Sequence, residues 1–276
     1  MLAPPSETTT LYHYGNLLGL GTPAWDNFAE IQAAIRIVSA SNPEEAKGLI
    51  DCRGVRFIVI PSWDSYLDEY AQDGMGQLEG TSIARLHAWN ITRWLRPMAF
   101  HLPAGAGLDG QSVTIFEVVD DQDEALALSR LAKYFVEMNR MDLAVGAARG
   151  LRRYPTDLDS WIARAEVATA TGNEEAAGGA LKLIIPRIKS GAYPRLPLDR
   201  RVGLAVLLAR NRQTDLARDQ TRACIDQLNE TELRSLSTCS LYRLLVLIKG
   251  FGLRIDQPPM LVLARNLLPQ DLRGRL

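Results

Sequence analysis

The chain has 276 residues, is 47% hydrophobic and 23% charged, and carries a formal net charge of −1. That is the composition of a globular protein with material for one large domain or two ordinary ones. No apolar run approaches the ~18 residues of a membrane span, and three widely spaced cysteines (Cys52, Cys224, Cys239) and three separated histidines (His13, His87, His101) form neither a disulfide framework nor a metal-ligand spacing, so no metal or cofactor is expected.

MLAPPSETTT has neither a basic segment nor an apolar core, so the chain is expected to be soluble and to carry no export signal. TTTLYHY (8–14), rich in β-branched and aromatic residues and ending at Gly15, predicts a strand. GNLLGLGT (15–22) reads as a turn-rich connection, because its glycine spacing matches neither a dinucleotide fingerprint nor a Walker A loop. DNFAEIQAAIRIVSA predicts a helix with Phe28, Ile31, Ile35 and Val38 on one face and Asn27 as its cap. In NPEEAKGLIDCRG the helix start is explicit: Asn42 caps, Pro43 suits the first position, Glu44 and Glu45 sit at the positive end, and Gly54 ends the helix. VRFIVI (55–60) predicts a strand covered on both faces. After it come a polar loop, PSWD, and a short helix, SYLDEYAQ (65–72). RPMAFHL (96–102) and QSVTIFEVV (111–119) complete a small sheet that could be mixed in direction. Residues 1–120 are therefore expected to form a small α/β domain.

The loop after residue 60 carries the chemistry-bearing candidates. Ligands gather at the carboxyl ends of strands in α/β sheets, and Ser62, Asp64 and a histidine could form a nucleophilic set there. The simpler reading makes Ser62 or Asp64 the cap of the 65–72 helix, with Trp63 and Tyr66 packed beneath it. No Gly-x-Ser-x-Gly elbow supports a hydrolase.

Residues 121–276 show no strand signals and predict an all-α array. Laying NRMDLAVGAARGLRRYPTDLDSW over GNEEAAGGALKLI places Ala144 and Ala177 33 residues apart, near the tetratricopeptide period. Trp161, Ala165, Gly172, Ala177 and Leu181 take the large, small, turn, small and large positions of one copy. Leu128, Ala132, Asn139, Ala144 and Ala148 take those of another, and Pro155 closes it. A weaker third copy runs through Ala205, Leu208 and Ala217 to Cys224, with helices near 230–250 and 258–268 capping the stack. Helical phase predicts a concave groove for a protein partner, lined by Arg130, Lys133, Arg164 and Glu166. The first 120 residues are net acidic and the remainder net basic, which suggests two domains that attract one another, or a basic half that faces an acidic partner or a membrane surface. The arginines of RGLRR and RNR lack interleaved aromatics, so no nucleic-acid binding is expected.

LYHYGNLLGLGTPAWDNFAEIQAA, NPEEAKGLIDCRGVRFIVIPSWD, WLRPMAFHLP and VTIFEVV together resemble the extracytoplasmic C-terminal region of bacterial polytopic membrane proteins. These are similar to type C glycosyltransferases of the mannosyltransferase and oligosaccharyltransferase kind, which use lipid-linked sugars. The shared features are a first strand, a loop with a Trp-Asp/Glu-Asn triplet (Trp25, Asp26, Asn27) and a hydrophobic strand before a polar loop, with tetratricopeptide repeats able to follow. In that family the catalytic acids lie in loops between membrane helices, so the resemblance carries over no catalytic residue. It implies a non-catalytic interaction module on the periplasmic face, the tail of a transmembrane parent with Met1 an added start. The alternative is a stand-alone soluble enzyme with its site at Ser62 and Asp64.

Overall fold

The structure, a computed structural model, describes residues 1–20, 28–102, 105, 107–191, 195–255 and 258–276. The chain divides into two compact units, Met1–Asp123 and Glu124–Leu276. It mixes α and β: a three-stranded sheet lies in the first unit, and helices make up most of the rest. No helix among the described residues is long and apolar enough to cross a membrane.

The first unit runs α1 (Pro5–Gly15), α2 (Phe28–Ser39), α3 (Pro43–Cys52), β1 (Phe57–Pro61), α4 (Tyr66–Met75), α5 (Ser82–His87), β2 (Leu95–Met98) and β3 (Val113–Val118). The sheet order is β1-β3-β2 and both pairings are antiparallel, with Ile58 opposite Phe116 and Leu95 opposite Val118. The three strands are therefore antiparallel throughout, not mixed. Leu2 extends the free edge of β1 by one parallel bridge to Ile58, its N–H donating to the Phe57 carbonyl at 2.8 Å. Ile58, Phe116, Leu95 and Trp94 form the core with Ile37, Ile50, Leu67 and Ile83 from the helices. Phe57 and Val59 remain partly exposed, so β1 is not covered on both faces as its apolar run predicts.

Two other expectations are corrected. TTTLYHY is the body of helix α1, not a strand. Pro5 starts the helix, and the threonine hydroxyls donate back within it, Thr8 Oγ1 to the Pro4 carbonyl at 3.0 Å and Thr9 Oγ1 to Pro5 at 3.2 Å. This i−4 bonding satisfies β-branched polar side chains inside a helix. Left-handed Asn16 (φ 51°) ends it. On α2 Val38 is buried and Ile31 and Ile35 pack against the core as expected, joined by Ala33, Ala34 and Ile37, while Phe28 is 66% exposed. Helix α4 packs closely on α2: a Cβ added at Gly74 would come 2.6 Å from Ser39 Cβ and 3.0 Å from Ile35 Cγ2. The proposed cap Asn27, and with it Trp25 and Asp26, lies outside the described residues. Asn42 caps α3 as its sequence indicates, accepting from Glu44 N–H at 3.0 Å.

The second unit is a run of helix hairpins: α6 (Glu124–Glu137) with α7 (Met141–Gly150), α8 (Leu158–Ala170) with α9 (Glu174–Lys189), and α10 (Leu198–Arg210) with α11 (Thr214–Asp226). A 3₁₀ turn at Leu151–Arg153 follows α7. Helices α12 (Glu230–Ser235), α13 (Thr238–Gly250), α14 (Pro258–Asn266) and α15 (Gln270–Arg273) complete the chain. The single helix expected at 230–250 is broken at 236–237, where Ser237 caps α13 by accepting from Ser240 N–H. Successive first helices pack on one another, α6 on α8, α8 on α10 and α10 on α13.

The three hairpins repeat one geometry. Each turn holds a left-handed residue, Asn139 (φ 56°), Gly172 (φ 72°) or Arg212 (φ 59°). The next residue donates its N–H back across the turn: Arg140 to Phe135, Asn173 to Ala168, Gln213 to Leu208. Seven residues before each turn and five after stand fully or nearly fully buried alanines, Ala132 and Ala144, Ala165 and Ala177, Ala205 and Ala217. Small buried side chains at these positions allow paired helices to approach closely.

Candidate functional site

The loop after β1 is built from both sides. Ser62 continues the β1–β3 ladder: its N–H donates to the Ser112 carbonyl at 2.9 Å, and its hydroxyl accepts from Ser112 N–H at 3.0 Å while donating to Gln111 Oε1 at 2.7 Å. Asp64 accepts the Tyr66 N–H at 2.9 Å through Oδ1 and the Ser6 hydroxyl at 2.7 Å through Oδ2. Trp63 donates its indole N–H to Glu7 at 3.0 Å. The carboxylate thus closes an Asx turn at the start of α4 and, with Trp63, fastens the loop to the first turn of α1. Trp63 (38% exposed) and Tyr66 (47%) do not pack beneath α4; the loop is held by hydrogen bonds and not by aromatic burial.

These residues border a cavity of about 330 Å³ that Asp68 and His87 also line. His87 Nε2 lies 2.8 Å from Asp68 Oδ1. The fold therefore brings Ser62, Asp64 and a histidine to one place, and that histidine is His87. Both loop hydroxyls are already committed, Ser62 to Gln111 and Ser65 to Glu69 at 2.9 Å, so neither donates to the imidazole. No cluster of three or more metal-ligating side chains occurs among the described residues.

The four groove residues of the helical unit separate into two places. Lys133 on α6 is buried and donates to the Asp199 carbonyl at 2.9 Å and the Ser240 hydroxyl at 2.8 Å. Arg130 forks the Asp199 carboxylate at 2.8 and 3.1 Å. Glu166 on α8 accepts from Arg200 at 3.0 Å, and Arg200 also donates to Asp159 at 3.0 Å. Arg130, Lys133 and Glu166 thus face inward and are engaged by the chain's own charges, where helical phase placed them in an open groove. The reason is that α6 reaches across to α10 and α13, so the inner faces of the first helices meet.

Arg200 is fully buried. Burial works to lower its pKa, but the attraction of Glu166, Asp159 and Asp199 outweighs that and holds the guanidinium charged more firmly than usual. Burial pushes the Asp159 carboxyl above its ordinary value, against the pull of Arg200. Neither Arg200 nor Asp159 stood out in the sequence. The available signal was the three charges opening an otherwise apolar helix, LDRRVGLAVLLA, in which Asp199, Arg200 and Arg201 are all buried.

Arg164 lies elsewhere. With Arg149 and Arg152 it lines a cleft of about 190 Å³ between α7, α8 and α9, whose walls include Val145 and Val167. No ion pair or side-chain hydrogen bond among the described residues engages any of the three guanidinium groups. Scans against protein-family models, curated proteins and solved structures found no match to this chain.

Proposed function

We propose that the chain is a non-catalytic protein-interaction module, its hairpins forming a tetratricopeptide-like array that binds a protein partner. The observation that carries this reading is the repeated hairpin, with its left-handed turn and flanking buried alanines, stacked first helix on first helix. Such arrays present extended surfaces and bring no chemistry of their own. The sequence resemblance supports a place as the periplasmic tail of a membrane glycosyltransferase-like protein. The reading frame upstream of Met1 tests that placement: in-frame apolar spans support it, and a ribosome-binding site directly before Met1 overturns it.

A second reading is favoured by one observation, the cavity shared by Ser62, Asp64, Asp68 and His87. It makes the first unit an enzyme acting through a serine. Treating the protein with a fluorophosphonate separates the two. The interaction reading expects no adduct at Ser62 or Ser65, and a stoichiometric, His87-dependent adduct at either would establish the enzyme.

A further inference from the structure

We infer that the cleft between α7, α8 and α9 binds an acidic peptide segment of a partner protein, with Arg149, Arg152 and Arg164 taking its carboxylates. This rests on the interaction-module reading and names the chemistry of the partner.

Charge is the first argument. Three guanidinium groups border one cleft, and no carboxylate lines it. Elsewhere in the same unit the cations of the interior have anions in reach: Arg130 has Asp199, Lys133 has Glu137 at 4.0 Å, and Arg200 has Asp159 and Glu166. Cations gathered without a counter-charge repel one another and raise the local concentration of anions. Guanidinium is also the group whose fork matches a carboxylate in two parallel hydrogen bonds.

The walls select a peptide over a bare ion. Between the arginines the surface is Val145 and small side chains such as Ala148 and Ala176, and Val145 is 39% exposed. Aliphatic parts of a bound chain would cover these groups while its acids reach the arginines. A compact phosphate would gain little from the nearby start of α9. There Asn173 accepts the Ala176 N–H at 3.0 Å, and Glu174 and Glu175 already answer the positive end of the helix dipole.

The test is fluorescence anisotropy on the full chain. The probe is a fluorescein-labelled, amidated nonapeptide of three Glu-Leu-Glu repeats, in low salt. Saturable binding is expected, weakened roughly tenfold or more in the double variant Arg149→Gln/Arg152→Gln. Both residues are exposed, so the variant should keep its fold, and circular dichroism checks that it does. Arg164→Lys should also weaken binding, because the charge remains while the fork is lost. Arg187→Gln, which removes one positive charge at an exposed position of α9 outside the cleft, should leave binding unaltered. Absent binding, or binding equal in all variants, overturns the inference. So does displacement of the peptide by inorganic phosphate where sodium chloride of equal ionic strength has no effect, which would make the cleft a phosphate site. Failure here leaves the module reading standing, since that is decided by the fluorophosphonate at Ser62 and Ser65.

Discussion

Replacing Arg200 by Met should be among the most damaging single changes in the helical unit. Arg200 has the largest fully buried side chain among the described residues, and its guanidinium donates at 3.0 Å to both the Asp159 and the Glu166 carboxylates and at 3.3 Å to the Asp159 carbonyl. Methionine fills most of the volume, so the cavity cost is small. What remains is two carboxylates at 13% and 14% exposure whose shared cation is gone. Breaking a buried pair in this way costs about 3–5 kcal/mol. Neutralising the site completely, as Arg200→Met/Asp159→Leu/Glu166→Met, removes the stranded charges and should return stability to within about 2 kcal/mol of the parent. Urea unfolding followed by far-UV circular dichroism at pH 7 measures both. The sign of the pH effect is fixed too. In Arg200→Met the Asp159 carboxyl, already held above its ordinary value by burial, loses the opposing pull of Arg200, so the folded state binds its proton more tightly and the deficit shrinks as pH falls from 7 towards 4. A single variant within about 1 kcal/mol of the parent, or a deficit indifferent to pH, would refute the reasoning.

Asp64→Ala removes the acceptor of the Tyr66 N–H and the Ser6 hydroxyl, and should cost about 0.5–2 kcal/mol in a urea titration; a variant that unfolds like the parent would reopen a chemical role for this carboxylate. Arg212 holds φ 59° at the α10–α11 turn, where Gly172 serves the preceding hairpin, so Arg212→Gly should stabilise by about 1 kcal/mol, read as a raised urea midpoint with unchanged m-value. Burial pushes the Cys224 thiol from 9.0 up to about 12, whereas Cys52 is exposed, so a maleimide at pH 7.5 should label Cys52 in the native protein and Cys224 only after unfolding. Because that folded-state pKa is raised, the stability linked to Cys224 is intact below pH 9.0 and declines as pH climbs towards about 12, a loss that Cys224→Ala should not show.

Local signals in the sequence read true where a few neighbouring residues carry the physics. Asn42-Pro43-Glu44-Glu45 starts α3 because the cap, the proline and the acids all act within one turn. The apolar runs of β1 and β3 mark strands. Even the third hairpin is visible, since Ala205 and Ala217 keep the spacing to Arg212 that Ala165 and Ala177 keep to Gly172. Tertiary structure decided the rest. Threonines 8–10 have β-branched side chains and read as strand, yet Thr8 is fully buried inside α1, its hydroxyl returned to the Pro4 carbonyl, because packing outweighs a propensity spread over only ~1 kcal/mol. The direction in which Arg130 and Lys133 face was equally out of reach. Helical phase says which residues share a stripe, but their partners Asp199 and Ser240 stand 69 and 107 residues away. The packing of α6 against α8 and its reach to α10 and α13 turn that stripe inward, leaving Arg164 beside Arg149 and Arg152 at a cleft with no carboxylate in its lining.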